Sequence, residues 1–102
     1  MDPKVAKCLL VSKVLVADGI MTENERIFLD KLMRRLGLDD AEQRQVLALE
    51  GWDQAEPVVA KLSDEEKRAF VSTLGDASAA DGRLSPLEAA TVKRITAALG
   101  VE

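Results

Sequence analysis

Apolar residues along this chain recur at three- and four-residue intervals and do not alternate with polar ones, a period that predicts helices and no strands. The stretch from Val5 to Ala17 is apolar apart from interruptions such as Lys7 and Lys13. It is expected to form a buried first helix from about Pro3, whose missing N–H is harmless in a first turn. Thr22 caps a second helix and Glu25, three residues on, completes a capping box. That helix carries Leu29, Leu32 and Leu36 on one face and stops at Gly37. Asp39 with Glu42 opens a third helix ending near Glu50-Gly51, and Asp53 with Glu56 opens a short fourth containing Pro57. Trp52, the single Trp, is expected to plug the gap between these helices. Ser63 with Glu66 starts a fifth helix through Phe70, Val71, Leu74, Ala77 and Ala80, weakened at Gly75. Ser85, Pro86 and Glu88 start a sixth, in which Val92, Ile95 and Leu99 copy the apolar face of the second before Gly100 ends it. The expected fold is all-α, a compact bundle of about six helices.

The second and sixth helices are alike for a reason. Asp18-Gly19-Ile20-Met21-Thr22-Glu23-Asn24-Glu25 returns 63 positions later as Asp81-Gly82-Arg83-Leu84-Ser85-Pro86-Leu87-Glu88, and the register holds without a gap from Ala17–Leu38 onto Ala80–Val101. Ala17/Ala80, Asp18/Asp81, Gly19/Gly82, Glu25/Glu88, Leu36/Leu99 and Gly37/Gly100 are identical. The chain therefore reads as one domain over residues 1–102 with two duplicated hairpins, residues 5–38 and 63–101, and an insert at 39–62. Leu32 and Ile95, equivalent in the repeat, are expected in the core.

Composition narrows the function. At 102 residues and 47% apolar content the chain can bury one core, and 3% aromatics with no Tyr make that core aliphatic. The net charge of −4 with dispersed Lys and Arg leaves no basic footprint for nucleic acid. The single Cys8 cannot close an intrachain disulfide and sits in an apolar helical stretch as a small core residue. The apolar run that ends at Asp18 falls short of the roughly 20 residues needed to span a bilayer, so a soluble, cytoplasmic protein is expected. With no His, no Tyr and no glycine-rich phosphate loop, the chain lacks a general base poised near neutral pH, and no catalytic role is expected.

The repeated loop carries the one chemical lead. Asp-Gly followed by Glu after five intervening residues reproduces the second half of a calcium-binding EF-hand loop, with Asp18 and Asp81 at its fifth position and Glu25 and Glu88 at its twelfth. Its first half is missing, because Val14, Val16, Ala77 and Ala79 occupy the first and third positions and cannot ligate. Calcium takes about 6–8 oxygens. A complete EF-hand site is therefore excluded, and what remains is a partial, weak site for calcium or another divalent cation with Asp18, Glu25, Asp81 and Glu88 as ligands. The same residues also make a glycine turn followed by a helix cap, which would recur in a duplicated hairpin without any ion.

The pattern Ala17-Asp18-Gly19 with Glu25, repeated as Ala80-Asp81-Gly82 with Glu88 between apolar helices, resembles the tellurite-resistance TerB family. It is similar also to the amino-terminal domains of membrane-anchored DnaJ-like co-chaperones. The resemblance implies a helical domain whose acidic residues hold a metal ion and which acts in stress-response assemblies near the membrane. It carries over the four acidic residues named above, and it implies a protein partner. Two functions follow: an ion-responsive regulatory module, or a metal-independent helical protein–protein interaction domain whose loops are only turns.

Overall fold

The computed structural model describes residues 1–17, 19, 21–79 and 85–101. Its helices begin where a polar side chain can close the first turn, with one exception. The Asp2 carboxylate accepts the Lys4 N–H at the start of α1 (Pro3–Leu15). Thr22 and Glu25 form a full capping box on α2 (Glu23–Leu36), and Asp39 and Glu42 form another on α3 (Asp40–Leu47). The exception is α4 (Trp52–Ala60), which starts after Gly51 with no side-chain cap. Ser63 accepts the Glu66 N–H on α5 (Asp64–Ser78), and Ser85 accepts the Glu88 N–H on α6 (Pro86–Leu99).

The α3–α4 junction differs from the sequence expectation. α3 stops at Leu47 rather than near Glu50, because Leu49 N–H donates to the Val46 carbonyl and Glu50 N–H to the Gln45 carbonyl, both at 3.0 Å. These two bonds are a Schellman motif, which satisfies the last carbonyls and turns the chain. Gly51, at φ 82°, then feeds directly into α4, so Asp53 lies inside the first turn instead of capping it. The left-handed residue of this motif is Leu49, at φ 56°, whereas α2 and α6 place Gly37 and Gly100 there. A non-glycine residue in that conformation costs on the order of 1–3 kcal/mol. Pro57 sits in the interior of α4 at an exposed position and offers the Asp53 carbonyl no N–H.

α1 is the axis of the molecule. It packs against α2, α3, α4, α5 and α6, and nine of its thirteen residues, from Val5 to Leu15, are buried. A helix that is apolar all round belongs inside. Its counterpart in the repeat, α5, buries only Phe70, Leu74, Ala77 and Ser78 and leaves a polar face in water. The asymmetry arises because α3 and α4 of the insert both pack on α1, whereas neither packs comparably on α5. Helix limits nonetheless follow the 63-residue offset, since α2 and α6 are each 14 residues long and begin at 23 and 86, while α1 and α5 end at 15 and 78. Leu32 and Ile95 are both buried. The last carbonyl of α6, on Leu99, accepts from Lys67 Nζ at 3.1 Å, a cation placed where the helix dipole favours it.

Gly75 lies on the exposed side of α5, and a Cβ built there meets nothing within 4 Å. Gly75→Ala is expected to raise stability by about 0.5–1 kcal/mol through lower chain entropy in the unfolded state. A urea titration of the two proteins measures it.

Candidate functional site

The first acidic loop is built by the end of α1 and the cap of α2. After Leu15 the chain leaves the helix through a bond from Ala17 N–H to the Val14 carbonyl, and Gly19 N–H donates to the Val16 carbonyl at 3.0 Å. Gly19 sits at φ 117°, a value open to glycine and strained for other residues. Met21 then packs against the core and Thr22 closes α2. Thr22 N–H donates to Glu25 Oε1 at 2.8 Å and Glu25 N–H donates to Thr22 Oγ1 at 3.2 Å. In the second loop Ser85 Oγ accepts the Glu88 N–H at 3.3 Å.

Of the four predicted ligands, Glu25 and Glu88 stand at the third position of α2 and α6, each on the helix that its loop leads into. Asp18 and Asp81 lie outside the described residues. Among the described residues no three Asp, Glu, His or Cys side chains are brought together to hold an ion. The described part of each loop thus supplies one carboxylate. An ion would need Asp18 or Asp81, backbone carbonyls and water for the rest of its shell.

What the sequence did not foretell is the depth of these glutamates. Glu25 is 2% exposed and Glu88 is 4% exposed. The glutamates at the same cap position of the other two helices are not buried: Glu42 on α3 is intermediate and Glu66 on α5 is exposed. An ordinary capping box needs no such burial.

A second feature lies beside the first loop. Trp52 was expected to plug a gap between helices, and instead it is 44% exposed. The buried face of α4 is made by Ala55 and Val59, whose small side chains let α4 lie close on α1 and leave the indole at the rim. Lys13 Nζ stands 4.0 Å from the centre of the indole ring, a cation–π contact. Together with Val16, Ala17, Leu49 and Arg94 these residues line an open cleft of about 320 Å³. Burial lowers the affinity of Lys13 for its proton, and the Arg94 guanidinium lowers it further, while Glu56 acts in the opposite sense. These residues come from three helices and two turns, so no local pattern could have announced the cleft. The signals present in the sequence were the lone Trp and a Leu where a helix end calls for Gly.

An all-helical domain with a glutamate at the third position of the helix after each loop is the arrangement that the repeat pattern implied. The family described as "Tellurite resistance protein TerB" matches residues 4–102. The chain belongs to the TerB family. No curated protein and no solved structure matches it. In this TerB domain no described helix is long and apolar enough to cross a membrane.

Proposed function

We propose that this TerB domain is a non-catalytic regulatory module of a stress response, acting on a protein partner, and that its acidic loops bind a divalent cation weakly. The observation that carries this reading is the burial of Glu25 and Glu88 at equivalent positions of the repeat, whereas the capping glutamates Glu42 and Glu66 are half-buried and exposed. Burying a carboxylate is costly unless hydrogen bonds, a helix dipole or opposite charge offset the loss of hydration. The capping bond and the start of α2 supply the first two at Glu25. A cation held with Asp18 in the first loop, and with Asp81 in the second, supplies the third. Calcium suits such a half-built loop better than magnesium, which demands near-octahedral geometry, and an affinity of roughly 10⁻⁴ to 10⁻³ M is expected.

Melting with calcium or with a chelator tests the reading. A ligand at a hundredfold excess over its Kd stabilises by about 2.7 kcal/mol. That stabilisation is expected in the native chain and is expected to vanish in Asp18→Asn with Asp81→Asn, because Asn supports a turn but carries no charge. Glu25→Gln keeps a capping box, which accepts either residue. If Glu25→Gln and Glu88→Gln lose equal stability with and without calcium, the glutamates are caps and the loops are turns of a metal-independent interaction domain.

A further inference from the structure

We propose that the cleft between the end of α1, the α3–α4 turn and α6 binds a short acidic and apolar segment of a partner protein. Its carboxylates would meet Lys13 and Arg94, and its apolar side chain would rest on Leu49 and the open face of Trp52. The inference is independent of any ion in the acidic loops.

Three observations converge on this site. Two cationic side chains approach one another on a domain whose net charge is −4. The proton affinity of Lys13 is lowered first by burial and then by the charge of Arg94, which Glu56 offsets only in part. No carboxylate among the described residues forms a salt bridge with either of them. An anion from outside would relieve the repulsion. Beside the cations stands Trp52, which carries Lys13 over its ring and is 44% exposed. Trp and Arg are the residue types over-represented among those that dominate binding at interfaces. The wall opposite includes Leu49 in a strained left-handed conformation, at a turn where glycine would serve the fold better. Strain retained at a surface turn beside a cleft points to a role for the side chain in that cleft.

The mixture of surfaces selects the occupant. Inorganic phosphate would leave the apolar wall of Val16, Ala17 and Leu49 unused. Nucleic acid calls for a long basic track, which this acidic chain lacks. At about 320 Å³ the cleft is near the lower limit of ligand pockets, roughly 300–1,000 Å³, and takes a few side chains rather than a large cofactor. A carboxylate next to a leucine-sized side chain satisfies both walls.

Trp52 is the only Trp, so its fluorescence reports on this cleft alone. The probe is an array of blocked hexapeptides with a central leucine flanked by acidic, basic or neutral residues, followed by titration of the tightest members in EDTA. Acid-flanked peptides are expected to bind and to shift Trp52 emission, and basic-flanked ones to do neither. Arg94→Ala, a change at an exposed position, should weaken binding roughly tenfold, the value of one charge-assisted contact. Leu49→Gly should weaken binding with no loss of melting temperature, since it removes the backbone strain, and this separates recognition from folding. The proposal is overturned if no peptide binds at millimolar concentration, if acidic and basic flanks bind alike, or if Arg94→Ala binds as the native chain does. It is overturned as well if anionic phospholipid vesicles or inorganic phosphate shift the emission and the peptides do not. Because EDTA is present throughout, failure of the cation reading leaves this outcome unchanged.

Discussion

Leu9→Ala is expected to destabilise the domain by about 3–5 kcal/mol, the range for a fully enclosed leucine whose surroundings relax little. Leu9 is buried on α1, the helix against which all five others pack. A cavity there is walled by several helices, so no single one can move in to fill it. Against a total stability of about 5–15 kcal/mol for a domain of this kind, the loss is a large fraction. At roughly 4–8 °C per kcal/mol the melting temperature should fall by about 12 °C or more. Leu32→Ala and Ile95→Ala are expected to cost about 2–5 kcal/mol each. Ile27→Ala, at an exposed position of α2, should stay within about 0.5 kcal/mol. Urea titrations of the four variants give the ranking. A Leu9→Ala loss no larger than that of Ile27→Ala would show that α1 is not the centre of the core.

The second large effect is a loss of stability at high pH traced to Cys8. Burial pushes this thiol from 9.0 up to about 12, with Lys7 acting against the shift and Glu42 adding to it. The charged form is the thiolate, so the unfolded chain releases its proton near pH 9 while the folded one keeps it. In that interval the folded state binds one more proton, and stability therefore falls as pH rises. The slope is about 1.4 kcal/mol per pH unit between the two values, or roughly 4 kcal/mol in all by pH 12. Below pH 9 the group contributes no pH dependence. Cys8→Ala removes the slope at the expense of a small cavity, and the difference between the two proteins in urea titrations at pH 8, 9.5 and 10.5 isolates it from lysine titration. A slope unchanged by Cys8→Ala would show that the thiol ionises in the folded state at its ordinary pH. The same burial predicts that thiol reagents label Cys8 only after denaturation.

Much of the architecture was legible in the sequence, because helix ends are local chemistry. Thr22 with Glu25 and Asp39 with Glu42 are capping boxes on the page as in the molecule. Gly37 and Gly100 end helices because a left-handed residue is needed there. The 63-residue register fixed the equal lengths of α2 and α6 before any packing was known. The α3–α4 junction escaped the same logic. There the motif that wants glycine holds Leu49, and α4 begins after Gly51, two residues before the Asp expected to cap it.

For this TerB domain the sequence by itself determined the helical class, the starts of most helices and the place of Glu25 and Glu88 in the first turns of α2 and α6, all set by neighbours within a few positions. Only the tertiary structure decided that α1 lies at the centre, since α1 and α5 look equivalent until the insert packs on α1. It also decided that Glu25 and Glu88 are buried while Glu42 and Glu66 are not, because burial depends on which helices lie across a cap rather than on the cap itself. The cleft at Lys13, Leu49, Trp52 and Arg94 has the same origin. Its residues are up to 81 positions apart, and only the close approach of α4 to α1 and α6 brings their charges and apolar surfaces together.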